Sequence, residues 1–116
     1  MYKVVNAPKG TAWKSRVKDQ SFDISGKTGT SQVRIISKQE RESGIIKNKD
    51  LPYEKRDHAL FVAFAPYHKP RYSISVLVEH GGSGSKSAAP IAKQVLKKVL
   101  EKHTNRENYR KDIKTI

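Results

Sequence analysis

Apolar and polar positions divide the chain into four patterned stretches and one long unpatterned one. Residues 59–65, Ala-Leu-Phe-Val-Ala-Phe-Ala, are continuously apolar and end at Pro66. A run this short, rich in aromatic and β-branched residues, predicts a strand covered on both faces. Tyr67-His68-Lys69-Pro70 supplies the turn into residues 72–79. There Tyr72, Ile74, Val76 and Val78 alternate with Ser73, Ser75 and Leu77, the period of a second strand. Upstream, Ser21-Phe22-Asp23-Ile24-Ser25 leads into Gly26-Lys27-Thr28-Gly29-Thr30-Ser31, predicting a polar strand over about residues 21–30. Downstream, Ala88, Ile91, Ala92, Val95, Leu96, Val99 and Leu100 recur at the helical spacing. Ser87 is the expected N-cap, with Pro90 accommodated in the first turn. Residues 34–57 carry charge, the breakers Gly44 and Pro52, and only isolated apolar pairs, predicting a long excursion with little regular structure.

Consecutive strands joined by short turns pair antiparallel. The expected fold is therefore α+β: a three-stranded antiparallel meander with a C-terminal amphipathic helix. Burying the helix's five larger apolar side chains would contribute about 7–15 kcal/mol, comparable with its ordering entropy, so it needs the sheet as partner. One helix covers one face. The other face, and the abrupt start at Met1, lead to the expectation of a missing N-terminal part of the same domain, or of self-association. Residues 1–103 are expected to form the domain portion, and 104–116 a polar, basic, frayed tail.

Lys and Arg number 24 against 11 Asp and Glu, a formal net charge of +13. That raises a basic binding module for nucleic acid or an anionic surface as the alternative function. Lys outnumbers Arg 17 to 7, although Arg is the better bidentate phosphate ligand. The aromatic residues fall in apolar runs and do not alternate with the basic ones, so no nucleic acid is expected. Cysteine is absent, which excludes disulfides and thiolate metal sites. His58, His68, His80 and His103 share no metal-ligand spacing, and no metal or cofactor is expected. Asp57-His58 is read as a polar pair at a strand entry. The chain contains no secretory signal and no apolar run long enough to span a membrane.

The chemistry lies in Gly26–Ser31. Gly-Lys-Thr also ends the phosphate-binding P-loop, but that loop needs a glycine five residues before Gly26, where Ser21 stands. It must also open a helix, and Gly29-Thr30-Ser31-Gln32-Val33 is a poor helix start. As an edge strand, the same residues divide the work. Gly29 lets a ligand approach the backbone. Thr28 and Thr30, two apart, send their hydroxyls to one side. Lys27 points to the other, with a stem long enough to reach the edge.

Lys-Thr-Gly is a motif of penicillin-binding proteins and class A β-lactamases. Around it stand Met1-Tyr2-x-Val4-x-Asn6, Gly10-Thr11-Ala12, Gly26–Val33, Asp57–Phe61, Ala63–Tyr67 and Glu79-x-Gly81-Gly82-x-Gly84. In this order the chain resembles the C-terminal part of the transpeptidase domain of class B penicillin-binding proteins, of the penicillin-binding protein 2 type, over residues 1 to about 100. The resemblance implies a place in a larger serine β-lactamase/transpeptidase-like domain. It also implies acyl transfer: a serine attacks the D-Ala-D-Ala bond of a peptidoglycan stem peptide, and β-lactams stall at the acyl stage. The parent protein would work at the periplasmic face of the bacterial inner membrane. Lys27 would supply positive potential, Thr28 and Thr30 would hold the ligand's carboxylate, and the Thr30 N–H would serve an oxyanion hole, with Gly29 keeping the edge clear. The family's nucleophile sits in Ser-x-x-Lys, with a Ser-x-Asn motif, both preceding Lys-Thr-Gly. Ser-x-Asn occurs nowhere here. Ser15–Lys18 and Ser83–Lys86 fit the first pattern without its expected place at the start of a buried helix. The chain is therefore expected to hold one wall of an active site, to lack the nucleophile, and to be inactive alone.

Overall fold

A computed structural model describes residues 1–114. Strands β1 (Ser25–Ser31), β2 (His58–Ala65) and β3 (Tyr72–Val78) form an antiparallel sheet in the order β1-β2-β3. Thr28 lies opposite Phe61, and Phe61 opposite Val76. Helix α1 (Tyr2–Asn6) precedes the sheet, α2 (Lys38–Ser43) lies in the excursion, and α3 (Ala89–Lys114) follows it. The meander and its C-terminal helix are as the patterning predicts. The motif strand is shorter than expected, because Gln20–Phe22 forms a 3-10 turn before it.

The two faces of the sheet differ. Ala59, Phe61, Ala63 and Ala65 are buried beneath α3, with Tyr72, Ile74, Val76 and Val78 packed around them. On the opposite face Val62 is 43% exposed and Leu77 58%. β2 is thus covered on one side in this chain, where its continuous apolar run predicts two.

From α3, Ala89, Ala92, Leu96 and Leu100 enter the core, a row spaced by three and then four. Ile91 and Val95 are each 44% exposed. The buried stripe is narrower than the periodicity predicts, and the contribution of Leu96 and Leu100 is about 3–6 kcal/mol. The expected cap is also corrected. Ser87 lies inside a π-helical turn, Gly84–Ala88, that runs straight into α3. Its hydroxyl donates to the Gly81 carbonyl at 2.7 Å, which ties the turn back to the end of β3.

Two stretches expected to be irregular are ordered by polar groups. Ser37 Oγ accepts the Glu40 N–H at 3.1 Å and so caps α2, and Gly44 at φ 114° closes it. No residue of α2 is buried, so apolar spacing could not reveal it. Arg34 grips Glu40 through its two terminal nitrogens, Nη1 and Nη2, at 2.8 and 2.6 Å. Beyond His103 the chain stays helical to Lys114 instead of fraying. Tyr72 OH meets His103 Nδ1 at 2.9 Å, and Glu107 accepts from His103 Nε2 at 3.0 Å and pairs with Arg71 at 3.4 Å. Side-chain hydrogen bonds there replace an apolar stripe.

Candidate functional site

β1 is an edge strand, and its outer edge is answered along only half its length. Asn6 Nδ2 donates to the Ile24 carbonyl at 2.8 Å and to the Tyr2 carbonyl at 3.1 Å, seating α1 against the start of the strand. Tyr2 OH donates to the buried Asp23 carboxylate at 3.3 Å, and the Tyr2 and Tyr67 rings stack at 4.4 Å. Burial first, and Asp23 next, push the Tyr2 phenol upward. The Gly26 N–H then donates outward to the Met1 carbonyl at 3.3 Å. Gly26 has to be glycine, because a Cβ would overlap the Phe61 ring beneath it.

The Gly26 N–H points away from β2, and the pairing runs unbroken to Ser31. Backbone groups alternate along a strand, so the N–H groups of Thr28 and Thr30 also point to the outer edge. Thr28 and Thr30 share the face of Phe61 and Ala59, and Lys27 shares the opposite face with Val62. Lys27 curls around the edge, and its Nζ donates to the Thr28 carbonyl at 2.8 Å. Cation, hydroxyls and outward amides are therefore gathered on one ledge, with Lys27 and Thr30 exposed and Thr28 and Gly29 half-buried.

Two neighbours of the ledge have roles that residue types alone do not disclose. Thr11 Oγ1 lies 3.3 Å from Thr28 Oγ1. It is held there because the loop after α1 folds back, with the Ala12 N–H on the Val4 carbonyl at 3.0 Å. Gly10 makes this possible, since a Cβ would strike the Val4 and Lys3 carbonyls. Gly84 lies against the backbone of Gly29 and Leu60, and a Cβ there would overlap the Leu60 carbonyl oxygen. Both glycines sit in the quoted motif stretches, which signal importance without saying what each contacts.

The other constellations are structural. Asp57 accepts from Asn48 Nδ2 at 3.2 Å while its own N–H donates to Asn48 Oδ1 at 2.9 Å, pinning the excursion to β2. His58 Nδ1 accepts the His80 N–H at 2.9 Å, and His80, at φ 54°, places its Nδ1 2.9 Å from the Arg56 carbonyl. Among the described residues no group of three His, Asp or Glu could hold a metal ion. Of the two Ser-x-x-Lys matches, Ser15 is buried in a 3-10 turn. Ser83 precedes the π-helical turn that runs into the half-exposed α3, with its Oγ 3.0 Å from Ser85 Oγ.

An antiparallel sheet whose edge strand carries Lys-Thr-Gly, backed by a C-terminal helix, is the α+β architecture of part of a transpeptidase domain. Residues 1–97 match the family model of the penicillin binding protein transpeptidase domain, and the chain belongs to that family. It is 40% identical over 96 residues to peptidoglycan D,D-transpeptidase MrdA of Haemophilus influenzae, covering 83% of this chain and 14% of that one. A crystal structure of Pseudomonas aeruginosa PBP2 in complex with WCK 5153 superposes with TM-score 0.63 at 38% identity, over 85% of this chain and 18% of that one. PBP2 of Helicobacter pylori, in complex with MreC, gives TM-score 0.64 at 35% identity, over 87% of this chain and 16% of that one. The chain thus spans about one seventh of the length of the curated relatives it matches.

Proposed function

We propose that this chain supplies the Lys-Thr-Gly wall of the penicillin and stem-peptide site of a peptidoglycan D,D-transpeptidase acting in cell-wall cross-linking at the periplasmic face of the inner membrane. The observation that carries the reading is the half-open edge of β1, where outward amides, two hydroxyls and an ammonium group converge from Lys27 to Thr30. A carboxylate-bearing acyl donor laid along it would meet Thr28 and Thr30 through their hydroxyls. The Thr30 N–H would stabilise the developing oxyanion, a role worth about 3 kcal/mol in a transition state. Lys27 raises the local positive potential and favours an anionic substrate. The serine that forms and releases the acyl-enzyme, and its proton-transfer partners, belong to another part of the domain. That part would also cover the exposed Val62 and Leu77 and the exposed stripe of α3; self-association is the alternative cover.

Fluorescent penicillin tests the reading. The 116-residue protein is expected to remain unlabelled, and covalent labelling abolished by Ser83→Ala would overturn the claim that it lacks a working serine. In the complete enzyme, Thr30→Val should slow acylation at least about tenfold while moving stability by less than about 0.5 kcal/mol, as befits an exposed surface position. Parallel losses of acylation and stability would count against the carboxylate role.

A further inference from the structure

Along the outer flank of the π-helical turn and α3, three cavities adjoin. The first, about 420 Å³, is lined by Lys47, Lys49, Arg56 and Lys86 beside Gly81–Ser83. The second, about 390 Å³, shares Lys86 and adds Lys14 and Lys93. The third, about 380 Å³, shares Lys14 and Lys93 and adds Arg16, Lys18 and Lys97. Nine cations therefore line these three adjoining cavities, which together form the groove, and Asp19 is the single carboxylate among their described lining residues; the next cavities on either side bring in Asp23 and Asp57. Asp19 is already engaged: its Oδ1 accepts from the Ser21 N–H at 3.0 Å and from Ser21 Oγ at 2.7 Å. The ion pairs Arg34–Glu40 and Arg71–Glu107 lie elsewhere. None of Lys27, Thr28, Gly29 and Thr30 lines the groove, so it is separate from the ledge on β1.

We propose that this groove binds an extended acidic segment of a partner protein. Charge complementarity is the driving term, since nine like charges facing a single carboxylate create a strong positive potential in a concave site. Shape and composition select the occupant. The groove is set between residues 14–19 and α3 at one end and between residues 47–56 and Gly81–Ser87 at the other, a concave shape that suits an extended chain better than a planar bilayer. Seven of the nine cations are lysines, point charges suited to carboxylates as well as phosphates, whereas bidentate phosphate recognition favours Arg. No aromatic side chain lines the three cavities; Trp13 lies in the cavity beyond Lys18 with its ring covered by Arg16, which leaves bases little to stack on. Both arginines are committed in part: Arg16 lies over the Trp13 ring at 3.7 Å, and Arg56 donates to the Leu51 carbonyl at 3.0 Å. From Lys86 to Lys97 the helical rise is about 16 Å, the span of roughly five extended residues.

The test uses a fluorescein-labelled hexaglutamate peptide and the 116-residue protein, read by anisotropy at low and moderate salt. Binding that weakens with salt is expected, and Lys86→Glu with Lys93→Glu should weaken it at least about tenfold. The neutral pair Lys86→Gln and Lys93→Gln should lose at least about threefold, and Lys98→Glu with Lys102→Glu, outside the groove, less than about twofold. Far-UV circular dichroism of each variant should match the parent. No binding, equal losses from the two Glu pairs, or tighter binding of a DNA duplex or of anionic lipid vesicles than of the peptide would each overturn the proposal.

Discussion

The two halves of β1 are built from similar residues and treated oppositely. At Ser25–Gly26 the strand is sealed: both residues are buried, the Gly26 amide is answered by α1, and the Phe61 ring fills the space a side chain would need. From Thr28 to Ser31 the edge is open, and the space above Gly29 is bounded only by Leu60 Cβ at 3.4 Å, ordinary van der Waals contact. Packing dictates the first half, whereas the second is free of it. A single motif thus contains one glycine whose site leaves no room for a side chain and one whose site does.

The largest expected effect comes where a late element meets the boundary between the halves. Gly84→Ala drives a methyl into the Leu60 carbonyl and should cost about 3 kcal/mol or more, since overpacking against backbone leaves nothing flexible to yield. Thermal unfolding within 1 °C of the parent would refute the contact. Next, Gly26→Ala should cost about 1–3 kcal/mol by displacing Phe61, while Gly29→Ala should cost less than about 1 kcal/mol. Equal losses in denaturant titrations would erase the distinction between sealed and open halves. The smallest effect concerns the excursion. Hydrogen bonding to Arg34, then to the Ile46 amide, holds the Glu40 carboxyl down to about 2. Its contribution is therefore complete above pH about 4.5 and is lost as pH falls from there toward 2. Amide protection at Ile46 should decline over that window, and unchanged protection would argue against the clamp.

What could be read in advance followed apolar burial. The alternation through β3 and the run through β2 specify both strands, and the spacing through Leu100 specifies the helix. Elements held by polar groups were the ones missed. α2 rests on Ser37 and the Arg34–Glu40 pair, and the helix past His103 on Tyr72 and Glu107; neither leaves a hydrophobic period. At the ledge, the placement of Lys27, Thr28, Gly29 and Thr30 along an edge strand was legible because the period of two fixes which side of a strand each residue faces. Thr11 and Gly84 were not, because their parts depend on chain reversals that bring residues 17 and 55 positions away against the strand.

The seat of Gly84 on Gly29 gives the turn that runs into α3 a mechanical hold on the edge strand. A tilt of the helix is transmitted to the strand through rigid main chain, with no soft side chain between them to absorb it. Substitutions at the head of the helix are therefore expected to shift the edge strand from a distance, as the bridge of a violin sets the height of its strings.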